Sequence, residues 1–374
     1  MKSYIYNLAT DKSRGFFPGI MKLFLLILSF VYGLVVRILI LFFHLFRYSP
    51  DCKVIGVGNI TLGGTGKTSL VEFLARFLKG QGQAVAIISR GYKRKAKVSA
   101  LSAMPERQWF SGGPARQCFS GGDYSSMGDE PYMLSKKLKG IPVIVEAQRK
   151  KGIKKAIKDY AVDTVILDDA FQQWGIRKDL ELVTIDAANP FGNKCMIPRG
   201  ILREPISSLK RADIFILTKT NLSANTASLK DTLRSINRRA LIFESEHRPL
   251  VFYDIFRPED LFATGSLKGK TAALFSGIGD PESFEKLILS LGIKIGLSFR
   301  FSDHHHYTGK DLQKIIQSSK RENIETIITT EKDAARICDL QLSTCSLRLL
   351  ALRIELSIKD EQRFNNRLLK LYPL

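Results

Sequence analysis

Residues 61–68 read Thr-Leu-Gly-Gly-Thr-Gly-Lys-Thr, between an apolar run, Val54–Val57, and an amphipathic one, Thr68–Lys79. No other stretch constrains the fold as strongly. A strand that ends in a glycine-rich turn and opens a helix is a P-loop. Its backbone N–H groups wrap phosphates at the positive end of the helix, its lysine reaches the outer phosphates and its hydroxyl holds Mg2+. Gly63, Gly64, Thr65, Gly66, Lys67, Thr68 and Ser69 are the candidate nucleotide contacts, with Lys67 on the outer phosphates and Thr68 on the metal. One residue departs from the pattern: Thr61 stands where a first glycine is usual.

Further apolar runs at Ala84–Ile88, Pro142–Val145, Thr164–Leu167, Glu181–Ile185 and Asp213–Leu217 alternate with helical patterns such as Glu130–Leu138. Short non-alternating strands interleaved with helices predict an α/β fold with a parallel sheet covered on both faces. A second α/β series begins near Leu250, with strands at Thr271–Phe275, Ile293–Phe299 and Thr326–Thr330, helices at Pro281–Leu291 and Gly309–Ser319, and a late strand at Leu347–Leu356. The expected organisation is an N-terminal membrane-associated helix over 1–48, a P-loop domain over 49–249 and a smaller α/β domain over 250–374. The Gly-, Ser- and Arg-rich stretch Ala100–Met127 has no clear period and reads as a long loop.

Between Leu23 and Phe46 only Arg37 carries a permanent charge. This length suffices for a bilayer span, and the absence of a small-residue cleavage site argues against a signal peptide. Its polar members Ser29, Gly33, Arg37, His44 and Tyr48 fall on one helical stripe. Basic residues flank it on both sides: Lys12, Arg14 and Lys22 before it and Arg47 after it. A stripe and two basic flanks suit a helix lying in the interface better than a single span. A monotopic anchor is the preferred reading, a true span the second and a buried core helix the third.

Lysine and arginine total 57 against 36 acids, a net charge of +21. That excess attracts phosphate in a nucleotide, an anionic lipid or a nucleic acid. No nucleic-acid-binding motif accompanies it, so no nucleic-acid partner is expected. The cysteines Cys52, Cys118, Cys195, Cys338 and Cys345 are scattered without a CxxC pair, which points away from a zinc site or a disulfide framework.

Thr164-Val-Ile-Leu-Asp168-Asp169 is an apolar strand ending in paired aspartates. Combined with a P-loop it has the Walker B form, in which a carboxylate meets the metal at the carboxyl end of a parallel sheet. Asp168 is the candidate for the metal, and Asp169 for the substrate side. Gly128-Asp129-Glu130-Pro131 reads first as a helix N-cap, and Asp129 is also a candidate base near an attacking hydroxyl. Asp303-His304-His305-His306-Tyr307 holds three of five histidines. Adjacent histidines point apart, so a histidine paired with a carboxylate is preferred there to a three-histidine metal site.

The ordered set GNITLGGTGKT, SRGY, GDEP, LDDAFQ, LREP, SGIGDPESF, FSDHHHY and TTEKDA resembles the tetraacyldisaccharide 4′-kinases of lipid A biosynthesis, from about Gly58 to Ala334. The resemblance implies Mg2+- and ATP-dependent phosphorylation of the 4′-hydroxyl of a tetraacyldisaccharide 1-phosphate at the cytoplasmic face of the inner membrane. It makes Asp129 the acid/base residue, supported by His304. It places Arg90 and Tyr92, Arg149, and Arg203 and Glu204 at the site, where Asp169 and Gln172 join them as substrate-side candidates. Two rivals remain at this level, a membrane-bound P-loop ATPase switch without a lipid acceptor and a nucleic-acid-binding ATPase. The sequence departs from the family pattern at Ala170, at Gln173, where histidine is common, and at Arg199. These are candidate points of altered acyl or sugar preference.

Overall fold

The structure is a computed structural model that describes residues 8, 11, 15–91, 101–102, 128–222, 225–337 and 347–372. Most of the expected loop at Ala100–Met127 lies outside the described residues. In chain order the elements are α1 (Phe16–Leu45), β1 (Lys53–Gly58), α2 (Lys67–Gly80), β2 (Val85–Ser89), β3 (Leu101–Ser102), α3 (Asp129–Lys137), β4 (Val143–Val145), α4 (Arg149–Tyr160), β5 (Thr164–Asp168), β6 (Leu180–Asp186) and β7 (Ile214–Thr218). Then follow α5 (Thr226–Ile236), β8 (Leu241–Asp254), β9 (Leu261–Ala263), β10 (Thr271–Ser276), α6 (Pro281–Ser290), β11 (Lys294–Arg300), α7 (Gly309–Arg321), β12 (Thr326–Thr330), α8 (Glu331–Ile337), β13 (Arg348–Ile358) and α9 (Glu361–Leu369).

The chain divides into two compact units, one comprising 1–90, 146–246 and 357–374 and the other 91–145 and 247–356. The expected domains, 49–249 and 250–374, are contiguous in sequence, whereas these compact units interleave along the chain. The long strands β8 and β13 contain the later crossing points. The C-terminal α9 returns to the first unit because Phe364, fully buried, packs against Phe73 and Phe243 with ring centroids 5.9 and 5.2 Å apart. Strand β8 was missed in the sequence because Glu244, Glu246, His247, Arg248 and Pro249 interrupt its apolar residues.

In the first unit, β8, β7, β6, β1, β5 and β2 pair in that order and all in parallel. Strands β1, β2, β5 and β7 are buried almost throughout, as expected for a sheet covered on both faces. Register decides what meets at the carboxyl edge. Val57 of β1 stands opposite Asp168 of β5, so the P-loop leaves the sheet beside the paired aspartates. The approach is close: a Cβ on Gly58 would lie 2.4 Å from the Phe171 backbone nitrogen and 2.6 Å from its Cβ.

Helix α1 belongs to this unit. It has 30 residues, about 45 Å of helix. Its buried residues are Ser29, Gly33 and Val36, while Phe17, Leu23, Ile27, Phe30, Leu34 and Leu41 are exposed. The expected polar stripe is only partly the docked one. Ser29 and Gly33 are on it; Arg37 and His44 are exposed. Ser29 Oγ donates to the Met196 carbonyl at 2.7 Å, and Tyr32 donates to the Arg203 carbonyl at 2.9 Å. Gly33 fits because Met196 Cε occupies the place a Cβ would take. Further along, Phe43 packs on Trp174. The buried-core reading of this helix therefore fails: its large apolar side chains face outward.

The second unit carries a parallel sheet in the order β11, β10, β12, β13. Alternate residues of β10 serve opposite faces, as the strand period requires. Ala273 and Phe275 pack with Leu312 and Ile315 of α7 and Ile337 of α8. Ala272 and Leu274 pack with Phe284 and Ile288 of α6.

The contact at Gly58 gives a direct test. Gly58→Ala forces a methyl into the backbone of Phe171, and overpacking of this kind costs about 1–3 kcal/mol or more. The expected result is a thermal midpoint lowered by several degrees; an unchanged melting curve would contradict the close β1–β5 approach.

Candidate functional site

The P-loop geometry accounts for its glycines and for its unusual threonine. Gly63 (φ 114) and Gly66 (φ 77) adopt conformations that L side chains rarely take. A Cβ on Gly63 or Gly64 would meet nothing within 4 Å, so neither glycine is there to relieve protein packing. Thr61 is different. It forms an antiparallel bridge with Leu202, flanked by Leu62 N donating to Ile201 O and Arg203 N donating to Ile60 O. The chain is strand-like there, where a β-branched residue is favoured. Gly66 brings no side chain to the N-terminus of α2, so the positive end of that helix opens onto the loop. The buried Thr65 side chain turns inward, 2.7 Å from Thr184 Oγ1. Thr68 is buried and Ser69 half-buried at the start of α2.

At the carboxyl end of β5, Asp169 is held by two cations. Arg203 Nη1 and Nη2 donate to its two oxygens at 2.7 and 3.1 Å, a bidentate pair, and Lys67 Nζ lies 3.6 Å away. Asn59, fully buried, joins the same two cations: its Oδ1 accepts from Lys67 at 3.0 Å and from Arg203 at 3.2 Å, while its Nδ2 donates to Thr61 O. Burial alone would raise the Asp169 carboxyl; the charges of Lys67, Arg203 and Arg149 outweigh it and hold it down at about 2. Asp169 also has a left-handed backbone (φ 52), a conformation that for non-glycine residues collects at functional sites. Asp168 is buried, and its Oδ2 accepts from Ser89 at 3.0 Å.

Other residues expected at the site are placed in more structural settings. Arg149 is buried and donates to the carbonyls of Glu146 and Asp168 at 2.7 and 3.0 Å, tying the start of α4 to the end of β5. Glu204 is fully buried and accepts from Gln172, Trp174 and Arg211. Gln172 also donates to the Asn59 carbonyl. Arg90 is exposed at the end of β2, and Tyr92 lies outside the described residues. Arg199 donates to Leu8 O and Asp11, and its backbone N–H to Ser29; those bonds give it a local structural role beside α1. The sequence reading missed Asn59, Ser89 and Thr184. Asn59 is visible as the lone amide ending an apolar strand and Ser89 opens SRGY; Thr184, inside an apolar strand, has no distinguishing signal.

In the second unit, Gly128 (φ 83) is the residue before α3, and Asp129 is the first helical residue. The N-cap reading of Asp129 is thereby corrected: the positive φ needed at the turn falls on glycine. Two ion pairs fasten α3 to α8, Lys332 to Glu130 at 2.5 Å and Lys137 to Glu331 at 2.6 Å. Burial alone would lower the Lys332 ammonium, but Glu130 outweighs it and holds it above its ordinary range. Thus Glu331 and Lys332 of TTEKDA, which carried no chemistry in the sequence, hold the helix that begins at Asp129. His304 has a left-handed backbone (φ 58), and its Nδ1 lies 3.3 Å from Arg336 Nη2. His305 stacks on Phe301 and lies 3.3 Å from Asp311, so the adjacent histidines do have different partners.

Among the described residues no group of three or more His, Cys, Asp and Glu side chains is placed to hold a metal. The Thr68 hydroxyl and Asp168 carboxylate are hard oxygen donors at the P-loop helix and the Walker B strand. Such a sparse set fits Mg2+, which takes one or two carboxylates and completes its shell with phosphate and water.

The depressed Asp169 pKa yields a pH dependence of fixed sign. Its stabilising contribution is complete above the ordinary value of 3.8 and is lost as pH falls through about 2. Side-chain carboxyl NMR should give Asp169 a midpoint near 2, and Asp169→Asn should lose this acid-side loss of stability. A midpoint at or above 3.8 would contradict the two-cation clamp.

A family model described as tetraacyldisaccharide-1-P 4′-kinase matches residues 21–372. A tetraacyldisaccharide 4′-kinase of Halothermothrix orenii is 33% identical over 380 residues, covering 96% of this chain and 95% of the relative. One of Desulfatibacillum aliphaticivorans is 34% identical, covering 95% and 93%. A crystal structure of LpxK from Aquifex aeolicus, described as an "apo" form in complex with ATP, superposes with a TM-score of 0.71 at 25% identity, covering 94% of this chain and all of that one. The P-loop, the paired aspartates and a match running nearly from end to end agree, and the chain belongs to the tetraacyldisaccharide-1-P 4′-kinase family.

Proposed function

We propose that this chain transfers the γ-phosphate of ATP to the 4′-hydroxyl of tetraacyldisaccharide 1-phosphate, forming lipid IVA in lipid A biosynthesis. The observation that carries the reading is the cluster at the carboxyl edge of the first sheet. There Lys67 of the P-loop stands beside Asp169, Arg203 pairs with Asp169, and Asn59 accepts from both Lys67 and Arg203. Family membership supplies the acceptor.

The amides from Gly63 to Thr68 and the Lys67 ammonium bind the β- and γ-phosphates. Thr68 and Asp168 are the residues that would hold Mg2+, whose chemistry is to neutralise charge on the transferring phosphoryl group. Ser89 orients the Asp168 carboxylate for that task. Asp129 accepts the proton of the 4′-hydroxyl as its oxygen bonds to the γ-phosphorus. The bond from that phosphorus to the β–γ bridging oxygen breaks, and ADP leaves. His304 orients Asp129. Arg203 and Asp169, paired with each other, belong to the substrate side with Arg90 and Tyr92. Arg149, Gln172 and Glu204 act by holding the strand ends and the segment around Arg203, given the bonds they make. Positioning and electrostatics supply most of the acceleration in such transfers.

Helix α1 anchors the enzyme at the cytoplasmic face of the inner membrane, lying on the surface without crossing it. Ser29, Tyr32 and Phe43 contact Met196, Arg203 and Trp174, so protein accompanies the helix over about 20 Å. A segment with polar protein along its flank is unsuited to the bilayer interior, whereas its exposed Phe, Leu and Ile side chains suit the headgroup–acyl boundary.

Incubation with radiolabelled ATP and a panel of lipid A precursors tests the activity. Label should appear on tetraacyldisaccharide 1-phosphate; label released only as inorganic phosphate would replace the kinase reading with an ATPase switch. Lys67→Ala should reduce transfer by about a hundredfold or more. Asp129→Ala should lower kcat at saturating ATP by about 10²–10⁴-fold, and an effect confined to the KM for ATP would remove its role as base.

A further inference from the structure

His304 is held by a buried assembly drawn from three of the ordered motifs. Asp333 of TTEKDA is fully buried and accepts from the Gly277 backbone at 3.1 Å, Tyr307 at 2.9 Å, Thr330 at 2.6 Å and Arg336 at 2.8 Å. Burial and the Asp333 charge push the Tyr307 hydroxyl up, so it stays protonated and donates. Arg336, itself buried, donates a second bond to the Gly277 carbonyl at 2.8 Å, and His304 N–H reaches the same carbonyl at 3.1 Å. A Cβ at Gly277 would lie 2.9 Å from Tyr307 Oη and 3.2 Å from His305 Cβ, so a side chain there would push on this assembly. Backbone and side chain of His304 are thus fixed by the same arginine and glycine.

A second guanidinium nitrogen, Arg336 Nη2, lies 3.3 Å from His304 Nδ1. A guanidinium has donors and no acceptor, and it does not give up its proton in proteins. His304 Nδ1 is therefore the acceptor, and the ring proton stands on Nε2. That nitrogen lies 3.8 Å from Asp303 Oδ2. We infer that Arg336 is a positioning residue that holds His304 in its Nε2–H tautomer, so that the ring presents a donor and not a proton acceptor at Nε2. The inference rests on the proposed role of His304 only for its consequence in catalysis. There, a ring that presents a donor at Nε2 does not take the hydroxyl proton at that nitrogen, which leaves Asp129 as the base. A histidine on the proton-accepting path would need the opposite tautomer, the arrangement that an adjoining hydrogen-bond partner selects in catalytic triads.

The tautomer can be read without turnover. Full-length protein labelled with 15N in its five histidine rings is examined in detergent micelles, and the His304 signals are assigned by their loss in His304→Gln. A proton on Nε2 is expected; a proton on Nδ1 would overturn the inference whatever any variant does. Replacing Arg336 alone would strand the Asp333 charge, so the paired change Asp333→Asn with Arg336→Met is used. Both tautomers should then be populated, with kcat reduced about tenfold or more and the KM for ATP little changed. Retention of the Nε2–H signal and of wild-type kcat in the paired variant would overturn the inference. A lost tautomer preference with unchanged kcat, in the paired variant and in His304→Gln alike, would support the Arg336 assignment while removing His304 from the proposed reaction.

Discussion

The Asp169 carboxylate is shared between Lys67 and Arg203, with Asn59 accepting hydrogen bonds from the same two cations. This sharing joins the P-loop, the Walker B strand and the LREP segment, which are far apart in sequence. Each partner limits the others. Lys67 is kept at the mouth of the loop, Arg203 is kept flat against a carboxylate, and Asp169 is kept ionised well below its usual range. Bidentate geometry gives the arginine a direction that a lysine would not have. A partly buried cluster of this kind contributes more to the placement of charge than to net stability, because desolvation offsets much of the attraction.

Backbone pairing of residues 60–62 with 201–203 reinforces the same junction. It accounts for Thr61, the one departure within the P-loop: the first position lies in an extended segment, and the left-handed turns fall later, on Gly63 and Gly66. The LREP segment reaches further still. The Arg203 carbonyl accepts from Tyr32 of α1, and Glu204 closes a buried set with Gln172, Trp174 and Arg211. The helix that faces outward with its Phe and Leu side chains is therefore fastened to the residue that pairs with Asp169.

The second unit applies similar economy to one short helix. Glu331 and Lys332 of α8 hold α3, which begins at Asp129, while Asp333 and Arg336 hold the turn that carries His304. Successive positions of one helical turn point in different directions, so a segment of six residues can secure two neighbours at once. TTEKDA is thus a bracing motif whose members touch the neighbours of the proposed acid/base pair.

The sequence by itself determined the parallel α/β architecture, because doubly covered strands are short apolar runs, and nearly every such run from Val54 to Leu356 became a strand. It also determined the nucleotide loop, since glycine, lysine and threonine at those spacings serve backbone conformation and phosphate contact locally. It further named the family through the order of its motifs. Tertiary structure alone decided which polar residues act through others. Arg149, Arg199 and Glu204 look like open arms in the sequence, yet each is engaged by a distant segment: Arg149 by the Asp168 carbonyl, Arg199 by the Leu8 carbonyl and Glu204 by Gln172 and Trp174. The interleaving of 91–145 and 357–374 was likewise hidden, because it depends on long-range packing such as that of Phe364 on Phe73 and Phe243. Local spacing encodes backbone conformation and periodic burial. The partner of a buried charge is set by strand register and by the meeting of distant segments, which no local pattern records.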